Sequence, residues 1–274
     1  MFRDSPARRS FLLFGAALSA VLLAALVAIP AVASFGARSD GRSTSVEDAS
    51  PADTETVEMI PLTPDPADFV SSGERSQASF YRLSDGMQIG TANERKARPA
   101  LSLIKLYIAK YVLDNGTLEE SYDALQMLVD SNDRFAAELY RSYPDSVDAV
   151  AEEYALYSTR GAEQWGYSVT STYDAVTFIS QLMVEDPTHP ILTAMSVSTE
   201  IAADGYEQDF GTAQLPGALG TKWGWSDDRD LHSSVSFGRG WVAAASVVGS
   251  AEDLTQYAEA QLEGPAKTAN SRDS

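Results

Sequence analysis

The stretch RPALSLIKLYIAKYVLDNG, residues 98–116, decides how this chain is to be read. Apolar residues recur at Leu103, Leu106, Tyr107, Ile108, Tyr111 and Val112, which predicts a helix with a broad apolar stripe, ended by the turn residues DNG. Within it Ser102 and Lys105 stand at i and i+3, on one helix face. A serine at a helix start lies beside backbone N–H groups that can hold developing negative charge. Lysine can take that serine's proton only where burial or a neighbouring cation has lowered its pKa. Two readings follow: an activated nucleophile with its base, or a capping serine followed by a solvated lysine.

Outward from this segment, composition removes several chemistries. The chain has 274 residues and no cysteine, which excludes disulfides, thiolate metal sites and cysteine nucleophiles. The two histidines, His189 and His232, are far apart, so a histidine-based zinc site is not expected, and GxSxG is absent. A net charge of −19 disfavours nucleic acid and anionic lipid as partners. Arg3, Arg8 and Arg9 precede the charge-free run SFLLFGAALSAVLLAALVAIPAVA, a basic flank before a span of membrane length. AVAS at 31–34 offers a cleavage site, and RRSFLL resembles a twin-arginine export signal. Residues 1–9 therefore read as a cytoplasmic flank and 10–34 as a signal sequence or membrane anchor. The remainder is expected to work outside the cytoplasm, secreted or held to the membrane by that segment.

Residues 35–70 are rich in Ser, Thr, Asp, Glu and Pro without apolar periodicity, and read as a disordered acidic tether. The domain is expected over 71–263, followed by a disordered tail, 264–274. ASFYRL and MQIG around SDG predict a β-hairpin with an Asp-Gly turn. Helical patterns follow in LEESYDALQMLV, RFAAELYRSY, VDAVAEEYAL and TSTYDAVTFISQLM, the last capped by Ser171 or Thr172. GTKWGWS, HSSVSFG and GWVAAASVVG then read as three strands, and SAEDLTQYAEAQL as a closing helix with Ser250 and Asp253 in near-capping-box spacing. The order predicts an α+β domain: an antiparallel sheet flanked by terminal helices, with a trimmed helical lobe beside it.

Two further short elements bear on Ser102. LVDSNDRFAAELY places Ser131, Asn132 and Asp133 at a helix entry, and GTKWGW places Lys222 and Gly224 on a strand. With SLIK, these resemble the three signature elements of the penicillin-recognising serine hydrolases, the superfamily of class A β-lactamases and D,D-peptidases. The resemblance spans roughly residues 77–262 and implies a β-lactamase/transpeptidase-like fold. It also implies acyl transfer through Ser102, with Lys105 as proton partner, Ser131 relaying a proton to the leaving nitrogen, and Lys222 supporting that serine and attracting a substrate carboxylate. The backbone N–H groups of Ser102 and Trp225 would be the oxyanion donors. Asp133, Trp223, Gly224 and Trp225 fall at substrate-binding positions, and neither cofactor nor metal is implied.

The pattern departs from the family at three places. The second element ordinarily ends in asparagine, and here it ends in Asp133, whose carboxylate repels a carboxylate-bearing substrate. Shifting the register by one aligns Asn132 but puts Asp130 in place of the serine. The third element ordinarily carries Thr or Ser between lysine and glycine, where Trp223 has no equivalent hydroxyl. GAEQWG contains Glu163, but the glutamate loop that activates deacylating water in class A β-lactamases has no counterpart. Trp241 is expected in the core, and His232 is expected to be structural. The leading expectation is an envelope serine hydrolase acting on a peptidoglycan-type peptide or a β-lactam. The alternative is a catalytically inert module of the same fold that binds or scaffolds in the envelope.

Overall fold

A computed structural model of the chain describes residues 75–272. The segments read as basic flank, export signal or anchor, and acidic tether lie outside the described residues. Among the described residues no helix is long and apolar enough to cross a membrane. Strands β1 (Ser76–Arg82) and β2 (Gln88–Gly90) form the first hairpin, and β3 (Arg98–Pro99) follows. Helices α1 (Ile104–Asn115), α2 (Leu118–Val129), α3 (Asp133–Ser142) and α4 (Ser146–Glu153) come next. After β4 (Val169–Thr170) run α5 (Thr172–Glu185) and α6 (Pro190–Ser196), then β5 (Gly220–Trp225), β6 (Leu231–Phe237), β7 (Trp241–Val248) and α7 (Ala251–Arg272).

The main sheet is antiparallel in the order β2-β1-β7-β6-β5, with β3 and β4 as a separate short pair. Period-two alternation sends side chains of β7 to two different cores. Val242 and Ala244 join Val235 and Phe237 against the helical lobe, while Trp241, Ala243, Ala245 and Val247 join Ala78 and Phe80 under α7. Both faces are covered by helices, and this is why a strand as small-sided as WVAAASVV is buried along nearly its whole length. Trp241 is fully buried and stacks on Phe80 at 5.9 Å between ring centroids, as packing required.

The hairpin turns through Gly86 at φ +71°, with Asp85 paired to Arg82. Thr117 and Glu120 form a full capping box on α2, Asn132 caps α3 and Ser171 caps α5. Helix α1 is more enclosed than a one-sided stripe suggests. Residues 104 to 110 are all buried, Lys105 among them, because α2 and α4 pack on sides that the sheet does not reach.

Residues 264–272, expected as part of a disordered tail, continue α7. The helix carries Leu254, Ala258, Leu262, Ala266 and Ala269 on one face, each 0–1% exposed, so the face that meets the sheet runs on past Gly264 and Pro265. Asn270 completes the anchor: Trp241 Nε1 donates to its Oδ1 at 3.1 Å, and its Nδ2 donates to the Pro216 carbonyl at 2.6 Å. Burial of this stripe outweighs the interior proline's missing donor.

Candidate active site

Three segments distant in sequence meet where the helical lobe abuts β5. The turn of 3₁₀ helix at Leu101–Leu103 leads into α1, and it brings Ser102 against the end of β5. The approach is close. A Cβ on Gly224 would lie 2.8 Å from Leu101 Cβ, 2.9 Å from Ser102 N and 2.9 Å from Ser233 Oγ, so only glycine lets strand and helix start pass. Ser131 stands between α2 and α3 at φ +57°, and Leu101 takes φ +52°. A left-handed backbone at non-glycine residues costs on the order of 1–3 kcal/mol each, and such strain gathers at functional sites.

Lys105 Nζ is the hub. It lies 2.9 Å from Ser102 Oγ, 2.7 Å from the Ser131 carbonyl, 3.3 Å from Ser131 Oγ and 2.5 Å from Asp133 Oδ1. Lys222 Nζ donates to Ser131 Oγ at 2.8 Å from the other side. Both lysine side chains are fully buried, which removes the reading of Lys105 as a solvated residue. Burial pushes the Lys105 ammonium below its ordinary range, against the pull of Asp133, Asp204 and Asp130. Lys222 is pushed well below its ordinary value, by burial first and then by the nearby Lys105 charge. The indole of Trp165, from the loop before β4, lies 4.9 Å from Lys105 Nζ and covers it.

Ser131, not Asp130, faces the two amines. Asn132 is spent as the α3 cap, accepting from Arg134 N at 3.1 Å and Phe135 N at 3.4 Å, and Asp130 accepts from Gln126 Nε2. Gly224 and Trp225 lie at the site, through backbone rather than side chain in the first case. Ser226 N donates to the Leu231 carbonyl, so by alternation the Trp225 N–H is directed away from β6, toward the edge where Ser102 sits.

Trp223, expected at the substrate, is placed elsewhere. Its ring is buried against Phe210 on the α7 side of the sheet, and its Nε1 donates to the Phe210 carbonyl at 2.9 Å. The neighbouring strand positions alternate, and Lys222 takes the site-facing direction. His232 is held by Tyr206 OH and the Gly249 carbonyl, each at 2.8 Å.

The site opens into a cleft of about 960 Å³ lined by Ser102, Ser131, Asp133, Tyr140, Arg141, Glu163, Trp165, Tyr167, Asp204, Trp225 and Arg229 among others. Asp204 Oδ2 accepts from Trp225 Nε1 at 3.0 Å and Arg229 Nη2 at 3.3 Å, and the Arg229 guanidinium lies 3.9 Å over the Tyr206 ring. This wall escaped the sequence reading: Arg229 sits in a turn at φ +62°, and nothing in DDRD signals it. From the sequence Trp165 is one of four tryptophans that could line a groove; its place over Lys105 comes from packing that no local pattern encodes.

No family model matches the chain, and no curated protein matches it. Solved structures do. A D-alanyl-D-alanine carboxypeptidase from Mycobacterium tuberculosis H37Rv matches with TM-score 0.53 at 15% identity, over 76% of this chain and 96% of that one. Penicillin-binding protein D2 from Listeria monocytogenes, in its cefotaxime-bound form, matches with TM-score 0.53 at 17% identity, over 73% and 99%. A β-lactamase from Streptosporangium roseum matches with TM-score 0.54 at 13% identity, over 73% and 93%. The chain has the fold of the penicillin-recognising serine hydrolases.

Proposed function

We propose that this chain is an exported cell-envelope protein that performs acyl transfer through Ser102, on a peptidoglycan-type peptide or a β-lactam. The observation that supports the reading is the convergence of Ser102 Oγ, Ser131 Oγ and two buried amines within 3.3 Å contacts. In the reaction Ser102 Oγ forms a C–O bond to the acyl carbon, and its proton passes to neutral Lys105 Nζ. The oxyanion develops beside the Ser102 and Trp225 N–H groups. The C–N bond breaks as the leaving nitrogen takes the Ser131 hydroxyl proton, which Lys105 then replaces. Lys222 holds the Ser131 hydroxyl in place throughout. The N-terminal apolar run, as signal or anchor, would put this chemistry outside the cytoplasm.

The Trp165 indole covers Lys105 on one side, and Asp133 and Glu163 line the same cleft. Incubation with a reporter penicillin and with an activated ester, read by intact mass, tests the proposal. An adduct present in the parent and lost in Ser102→Ala supports it.

A second reading, an inert binding module of the same fold, has its own observation: the charge of Asp133 sits on the only residue positioned to take the Ser102 proton directly among the described residues. A folded protein that forms no adduct with either reagent decides for that reading.

A further inference from the structure

In the resting site Lys105 has four oxygen neighbours and a formal anion among them. A neutral amine has two N–H donors and one lone pair; an ammonium has three donors and none. The Ser131 carbonyl and Asp133 Oδ1 can only accept, so each requires a donor. A neutral Lys105 would meet both and turn its lone pair to the Ser102 hydroxyl. An ammonium would meet both and donate to Ser102 Oγ instead, which leaves that hydroxyl without a base. The geometry serves either state, and charge selects between them.

We propose that Asp133 is a positioning residue that holds Lys105 as an ammonium in the resting site, so that Ser102 gains its base only when this ion pair is broken or neutralised. The proposal rests on the reading of Ser102 as an acyl acceptor, and it goes further in naming what restrains it. The other charges facing Lys105 are Lys222 from β5, which opposes protonation, and Asp130 and Asp204, which support it without a hydrogen bond to the amine. Asp133 alone combines contact and charge. Burial opposes the ammonium and keeps it below its ordinary range, and the carboxylate at 2.5 Å is the largest influence working the other way. A ligand that draws the carboxylate away, by presenting a cationic or strongly donating group to an oxygen that is otherwise in solvent, would free the amine. The Asp133 side chain is 64% exposed, so it has room to respond.

Asp133→Asn isolates the effect, because it keeps an accepting oxygen at the same place and removes the charge. In the full-length chain in detergent, the midpoint of the Lys105 ¹³Cε titration is expected to fall by about 1–3 pH units in Asp133→Asn, the range for loss of an adjacent opposite charge. Asp133→Glu, which restores charge, is expected to move the midpoint back toward the parent's. Equal midpoints in parent and Asp133→Asn would overturn the proposal. Labelling of Ser102 by an activated ester at neutral pH is expected to accelerate about tenfold or more for a midpoint drop of one unit or more. A shifted Lys105 midpoint with no labelling in any of the proteins would leave the role of Asp133 standing and remove the acyl-transfer reading.

Discussion

Gly224 tests the approach of strand to helix at a single atom. An added methyl there meets two backbone-proximal atoms of the 101–102 segment at 2.8 and 2.9 Å, and neither is the far end of a flexible chain. Gly224→Ala is expected to cost about 1–3 kcal/mol in urea unfolding and to abolish labelling of Ser102, since relief requires moving the nucleophile. Full labelling by this variant would disprove the close approach. Lys222 gives a pH signature. Its folded value lies well below its ordinary one, so between the two the unfolded chain binds a proton that the folded protein does not. Stability then rises with pH across that interval and levels off above the ordinary lysine value of about 10.4. Lys222→Met is expected to flatten that slope in urea titrations run at a series of pH values; parallel slopes would count against a depressed Lys222. At this scale Ser102 and Lys105 were legible because helical spacing puts them on one face. The direction of Trp223 was not, because alternation along β5 gives the site-facing side to Lys222, and a motif aligned by position carries no information on which way a substituted side chain turns.

Elements show where local signals and packing disagree. Helix α2 announces itself: Thr117 and Glu120 satisfy each other's backbone donors, and its bounds coincide with the apolar pattern of LEESYDALQMLV. The last turns of α7 do the opposite. Gly264 and Pro265 are helix-breaking in isolation, and only the sheet face beneath Ala266 and Ala269 makes the continuation favourable. Deleting residues 265–274 removes two buried methyls and the Asn270 bridge between Trp241 and Pro216. At about 0.8 kcal/mol per buried methyl and about 1 kcal/mol per hydrogen bond, the loss is expected to be roughly 3–4 kcal/mol. It should appear as a lower melting temperature together with a red-shifted Trp241 emission as the indole meets water. An unchanged emission maximum would mean that Trp241 does not depend on α7's end. Helix α6 and the short β3–β4 pair had no such local signature. α6 is capped by His189 with Pro190 at its first turn, a less common pairing than the Ser and Thr caps that mark α2 and α5.

For the whole molecule the decisive fact is that a two-core architecture brings the start of α1, the entry of α3 and the edge of β5 to one cleft. Each of the three segments was legible, but their meeting was supplied by resemblance, since no local pattern encodes contacts between residues so far apart in the chain. Charge at this scale bears on which acyl donors reach Ser102. The chain carries a net charge of −19, and the cleft places Asp133, Glu163, Asp204 and Asp227 along its walls against Arg141 and Arg229. Low-dielectric walls focus such a field, so a carboxylate-bearing penicillin approaches against it while a neutral ester does not. Raising ionic strength from about 0.01 M to about 1 M shortens the screening distance from about 30 Å to about 3 Å and removes that long-range barrier. Labelling of Ser102 by the penicillin is therefore expected to accelerate several-fold with salt, and labelling by the neutral ester to stay constant. In Asp133→Asn the salt dependence for the penicillin should shrink, because the charge nearest the nucleophile has gone. A penicillin rate that falls with salt would mean that the arginines, not the carboxylates, govern what the cleft admits.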